Sequence, residues 1–150
     1  EFNKLKLFKL HFFVSAINVS TEPDNNHDLL ETFDAFYALP YGPVESYIYN
    51  HINKLHIFSI SNRGISRTQN NDDDQYFGAL RQELRDSIDN AVATLRKKND
   101  DLVAYTAFDL VELSHQWPVW RVLYDRALKS GKKSIPMPTS LIRASSKVFY

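Results

Sequence analysis

The chain predicts a mainly α-helical, compact single domain of about five or six helices with a small extended or hairpin element, residues 1–150 forming the one domain. Three observations lead there. A length of 150 residues with a hydrophobic fraction of 43% is enough to bury a core, whereas two independent domains of half that size would each be marginal. Apolar residues recur at steps of three and four over most of the chain, the spacing of one helix face. Alternation of period two is confined to two short stretches, Phe33 to Ala38 and Ile57 to Arg67.

In the first segment Leu5, Phe8, Phe12, Ala16 and Val19 form a helical stripe that Leu10, Phe13 and Ile17 widen to more than half the girth. Such a helix is central and touches other elements on two sides. Lys4, Lys6, Lys9 and His11 interrupt the run throughout, so it lacks the unbroken apolar core and small-residue cleavage site of a signal peptide. Ser20 to Asp28 gathers Pro23, Asp24, Asn25 and Asn26 and reads as a surface loop. Leu29 to Leu39 fits either a helix or, from Phe33 onward, a strand.

Leu39-Pro40-Tyr41-Gly42-Pro43-Val44 is a sharp corner. Gly42 reaches backbone conformations closed to other residues, and Pro43 fixes its own φ. Because proline suits a first helical turn, a helix is expected from Pro43 to about His56, with Val44, Tyr47, Ile48 and Ile52 on its apolar stripe. On its own physics the corner is a structural turn.

Ile57 to Thr68 fits a short hairpin and an irregular excursion equally well, and the Asn- and Asp-rich stretch Gln69 to Gln75 reads as a solvated loop. The plainest helix follows, with Leu80, Leu84, Ile88, Ala91, Val92 and Leu95 in a stripe. Arg85 and Asp89 stand in position for a surface pair, and Arg96 to Lys98 complement the carbonyls of the last turn. Thr106-Ala107-Phe108-Asp109 is a variant capping box opening a short helix that must stop before Pro118. Trp117-Pro118 opens another, with Trp120, Leu123, Tyr124 and Leu128 on one face and Gly131 at its end. A terminal helix capped by Thr139 or Ser140 is expected to carry Leu141, Ile142, Ser145, Val148 and Phe149.

Two of these stretches resemble a known family. Phe33-x-Ala35-Phe36 followed by Gly42-Pro43-Val44 and Tyr47 looks like the Phe-x-Ala…Gly-Pro-Val…Tyr signature of the Panacea domain. Leu110…Leu113-Ser114-His115…Pro118-x-Trp120 is similar to that family's Leu-Ser-x-Leu-Thr-His…Pro-Trp motif, with serine in place of threonine and one residue inserted before the tryptophan. Leu7 to Phe12 resembles its opening helix, and Ile135-Pro136 its Ile-Pro segment. The resemblance leaves Ile57 to Tyr76 uncovered, and it favours an extended Phe33 to Ala38. It implies an antitoxin of a bacterial or phage toxin–antitoxin system, of use in phage defence, that neutralises a cognate protein toxin by direct binding. The family includes one member described as a proteolytic adaptor, so a protease is the alternative partner.

Other chemistries find little footing. Eighteen basic against eighteen acidic residues leave no net charge, which removes the usual electrostatic case for a nucleic-acid partner. No run approaches membrane-spanning length, so a soluble, cytoplasmic protein with no membrane partner is expected. The absence of cysteine excludes disulfides, thiolate metal sites and thiol nucleophiles. His51 and His56 stand five apart rather than four, Asp72 to Asp74 are consecutive where a calcium loop alternates, and no glycine-rich phosphate loop exists; no metal or cofactor is expected.

His115 is either the general base of an unrecognised hydrolase, with Ser114 beside it, or a partnered histidine at a helix end. Adjacent helical residues diverge by about 100°, which favours the second role and a chain that is not an enzyme. Tyr41, Tyr47, Tyr49, Trp117 and Trp120 gather at the two corners, as core or as an amphipathic partner-binding surface. Gly42, Pro43, Val44, Ser114, His115 and Pro118 are the residues of the resembled motifs to which a structural role falls.

Overall fold

The computed structural model describes residues 2–22, 28–55, 58–61, 63–68 and 78–150. The expected loops at Pro23 to Asn26 and Gln69 to Gln75, with His56 and Asp72 to Asp74, lie outside the described residues. Those described form seven α-helices and five short antiparallel strands, four of them paired as two hairpins.

Helix α1 (Lys4–Ile17) begins where the Asn3 side chain accepts from the Lys6 amide (2.9 Å), and it is buried along most of its girth. It packs against α4 (Gln82–Lys98), α5 (Ala107–His115) and strand β2 (Gly42–Glu45), the central position its broad apolar face predicts. Phe12, Phe13 and Ala16 are fully buried at the heart of the main core, among Leu30, Phe36, Leu110, Trp117, Met137 and Ile142. A smaller cluster of Phe8, Val44 and Ile52 lies under Leu39, Ile48, Phe58 and Ile60.

After α2 (Leu29–Thr32) the chain turns extended. Strand β1 (Phe36–Leu39) starts three residues later than expected, because the Phe33 amide still bonds Leu29 and closes α2. Strand β2 pairs with β1 in register from Phe36 opposite Glu45 to Leu39 opposite Gly42. Here the sequence expectation is corrected: Pro43 and Val44 lie in a strand, and α3 (Ser46–His51) begins three residues beyond Pro43, capped by the Glu45 carboxylate on the Ile48 amide (2.7 Å). The sheet order β2-β1-β5, with β5 formed by Ile135–Pro136, makes β2 an edge, where a strand tolerates a residue without an N–H. The expected helix therefore shrinks to α3 and a 3₁₀ turn over Ile52–Lys54, and of the expected stripe only Ile52 and strand residue Val44 are buried.

Of the stretch Ile57 to Thr68, the described residues form a hairpin of β3 (Phe58–Ser61) and β4 (Gly64–Arg67). Helix α4 buries Ala91 and Leu95 but leaves Val92 exposed, and Arg85 bonds Gln82 (2.6 Å) in place of the expected Asp89. A 3₁₀ turn (Asp100–Ala104) leads to α5, whose capping box is fully formed: the Thr106 hydroxyl accepts from the Asp109 amide (3.1 Å) and the Asp109 carboxylate from the Thr106 amide (3.0 Å). Pro118 opens α6 (Pro118–Lys129) and Gly131 (φ 70°) ends it, as read from sequence, although Ala127 rather than Leu128 completes the buried face.

Strand β5 (Ile135–Pro136) adds to β1, and the Met137 amide bonds the Phe36 carbonyl (2.8 Å). Helix α7 (Thr139–Ala144) is shorter than expected and has no side-chain cap from Thr139 or Ser140. Val148 and Phe149 lie in an extended tail because long-range partners take them: Trp117 Nε1 donates to the Val148 carbonyl (2.8 Å), Asn99 to the Phe149 carbonyl (2.9 Å), and the Phe149 ring packs on Phe13 and Trp117.

Candidate functional site

The two corners singled out by sequence, some seventy residues apart, meet at one junction beneath the β1–β2 turn. Gly42 ends that turn with φ 96°, in the left-handed region. A Cβ placed there would lie 2.3 Å from Ser114 Oγ and 2.9 Å from Lys9 Nζ. Lys9, from α1, is completely buried and donates to the Pro43 carbonyl (2.7 Å). Burial brings its pKa down from 10.5 to about 7. Ser114, from α5, is also completely buried and donates to the Val111 carbonyl of its own helix (2.7 Å). One glycine thus sits where the turn, α1 and α5 converge.

The second corner closes over the first. His115 stacks on Trp120 with ring centres 3.8 Å apart and planes 8° from parallel, and Trp120 stacks in turn on Tyr124. Trp120 Nε1 donates to the Leu39 carbonyl (2.9 Å), tying α6 to the end of β1. The His115 pKa is lowered, chiefly by burial and then by the charge of Lys9, with the Pro40 carbonyl and Glu112 acting the other way. Its Nε2 is buried without a hydrogen-bond partner. The neighbouring Ser114 offers no hydroxyl to solvent, since its proton is engaged by Val111 and the residue has no exposed surface. Pro118 stands at the first turn of α6, where its missing N–H costs nothing.

The aromatic cluster expected at the corners divides in two. Trp117 is fully buried and Trp120 is 8% exposed, so both are core residues whose N–H groups fasten backbone. Tyr41, Tyr47 and Tyr49 are 59%, 63% and 55% exposed and face solvent. Tyr41, at the tip of the turn, meets Phe108 edge to face (6.3 Å), and Phe108 is itself 65% exposed. Tyr47 stacks on His51 (4.0 Å), and Tyr49 leans on Phe8 (5.7 Å). Sequence reasoning passed over Phe108, although it occupies one of the two open places inside the capping box, in a helix turn that faces outward. Among the described residues no group of three or more His, Cys, Asp or Glu side chains gathers as a metal site demands. No helix among them is long and apolar enough to cross a membrane.

The model of the antitoxin SocA-like, Panacea domain family matches residues 7–121. That stretch contains Lys9, the Gly42-Pro43 turn, Ser114, His115, Pro118 and Trp120, so every side chain of the junction lies within it. Comparison with curated proteins and comparison with solved structures each give no match. With the matched stretch covering most of its length and the resembled motifs converging on one buried junction, the chain belongs to the SocA-like antitoxin family that carries the Panacea domain.

Proposed function

We propose that this protein neutralises a cognate toxin by direct protein–protein contact, in the cytoplasm and without a covalent step, and that the exposed aromatic residues at the β1–β2 turn carry the contact. The observation behind this reading is the placement of Tyr41 and Phe108, two large exposed rings in mutual contact and anchored on a buried junction. Large aromatic side chains dominate the binding energy of protein interfaces, and a rigid support keeps the ordering cost of binding low. Tyr47 and Tyr49, on the helix that follows the turn, extend the same chemistry. Occlusion of a toxin needs such a surface and no catalytic group.

The test is co-purification of the tagged chain from its host, identification of the co-eluting protein, and growth assays of that protein with and without this chain. A toxic partner rescued by the wild type, but not by a folded Tyr41→Ser/Phe108→Ser double variant, is the expected result. Rescue that persists in the double variant places the contact elsewhere. Rescue that occurs only through loss of the toxin in the presence of a protease replaces occlusion with an adaptor role.

A further inference from the structure

The neutral total charge conceals a division along the chain. Beyond His115 there are seven basic residues, Arg121, Arg126, Lys129, Lys132, Lys133, Arg143 and Lys147, against a single acid, Asp125. Two of the seven are engaged: Arg143 is buried against Asp28, and Lys129 pairs with Asp125 (2.8 Å). Arg126 is exposed and has no ion-pair partner among the described residues.

Arg126 borders an apolar groove of about 380 Å³ between α6 and the segment formed by α7 and Ser145. Leu123 and Val119 make its floor and are buried, while Val122 (59% exposed) and Leu141 (44% exposed) rise from its two walls. Val119, Val122 and Arg126 follow one another at steps of three and four on α6, so the apolar stripe runs directly into the guanidinium. Much of the groove is built after residue 121, outside the stretch shared with the family.

We infer that this groove receives an acidic amphipathic helix of a partner protein. The inference does not depend on that partner being a toxin. Helices α6 and α7 have their backbone groups already paired and offer no edge for an added strand, and only Ser145 and Ser146 at the margin of the groove are non-helical, so the mode that fits is a helix laid into the groove, its apolar residues meeting Val122 and Leu141. At 1.5 Å per residue, the Pro118 to Arg126 stretch of α6 that lines the groove gives a seat about 13 Å long, matching roughly two and a half helical turns. Arg126, the cation that lines the groove, sets the sign of the occupant: carboxylates flanking its apolar stripe would meet the exposed guanidinium. The helices a second copy of this chain could give fit less well: α5 carries exposed Asp109 and Glu112 but Phe108 as its one large exposed apolar residue, short of a stripe. Helix α4 carries Glu83, Asp86 and Asp89, but the apolar face of α4, Ala91 and Leu95, is already buried.

Two labelled synthetic helical peptides test the inference, both with leucines at i, i+3, i+4 and i+7 and with either glutamates or lysines elsewhere. Fluorescence anisotropy against the full chain should give at least about tenfold tighter binding of the glutamate peptide. Val122→Glu on one wall and Leu141→Glu on the other should each abolish that binding, while Arg126→Glu should remove or reverse the preference between the peptides. Lys54→Glu, an equal change of charge away from the groove, should leave it intact, and circular dichroism establishes that each variant is folded. Equal affinity for both peptides, or undiminished binding in folded Val122→Glu and Leu141→Glu, overturns the inference. So does a wild-type dimer dispersed by Val122→Glu, which makes a second copy the occupant, or DNA binding that Arg126→Glu abolishes and Val122→Glu leaves unchanged.

Discussion

Replacing Gly42 by alanine tests the junction directly, and the protein supplies its own control. Gly42 and Gly131 both have positive φ, 96° and 70°, so alanine at either meets the left-handed penalty of roughly 1–2 kcal/mol. The two differ in what surrounds the added methyl. At Gly131 nothing lies within 4 Å, whereas at Gly42 the Cβ would fall 2.3 Å from Ser114 Oγ and 2.9 Å from Lys9 Nζ. Neither neighbour has room to retreat, since both side chains are fully buried and hydrogen-bonded. Separating Lys9 from the Pro43 carbonyl forfeits a hydrogen bond to a charged or half-charged donor, worth about 1.5–3 kcal/mol. Gly42→Ala should therefore cost about 4 kcal/mol, with a fall in Tm of roughly 10 °C, and Gly131→Ala only about 1 kcal/mol. Thermal unfolding followed by circular dichroism reads both. In a Ser114→Ala background the nearest obstruction is gone, so the cost of Gly42→Ala should shrink by about 1 kcal/mol. Equal losses at the two glycines, or strict additivity of Gly42→Ala with Ser114→Ala, would refute the claim that the junction is held by close contact.

Four further outcomes are expected. The Lys9 pKa is about 7 folded and 10.5 unfolded, so the unfolded chain holds more protons between those values; stability should climb by on the order of 2 kcal/mol from pH 7 to 9.5 in urea titrations, and Lys9→Met should flatten the climb. His11, packed between Phe33 and Phe36, is lowered by burial from 6.5 to about 4; its contribution should be lost as pH falls through that window, again on the order of 2 kcal/mol, and His11→Phe should remove this acid sensitivity. Trp120→Phe keeps a ring against His115 but leaves the Leu39 carbonyl without its donor, so a loss of about 1–2 kcal/mol should appear in chemical denaturation. His115→Asn, if folded, should neutralise the toxin as well as wild type in the growth assay, an outcome that a hydrolytic role for His115 does not permit.

What the sequence made legible is what local chemistry decides. The capping box at Thr106, proline at the start of α6, glycine at its end and the broad apolar girth of α1 each rest on residues a few positions apart. The misreadings occur where distant partners override local preference. Pro43 reads as the opening of a helix, yet pairing with Ala38 holds it in an edge strand. Val148 and Phe149 extend the spacing of α7, yet donors from Trp117 and Asn99, 31 and 50 residues away, draw the backbone straight. Lys9 looks in sequence like one more cation breaking up an apolar helix. Its role emerges only with the Pro43 carbonyl, 34 residues on. The tyrosines and tryptophans group together by position along the chain, and it is the direction each corner turns that separates them into surface and core.

The tail has a bearing on how the molecule is made. Phe149 packs on Phe13 and Trp117, and Trp117 in turn fastens to Val148, so the interior stays open on one side until residue 149 has been synthesised. The stretch shared with the family stops at residue 121 and is therefore shorter than the unit that folds. A fragment cut to that stretch would carry both motifs of the junction and still expose the indole at its centre. A ribosome stalled before residue 149 would hold a core not yet closed.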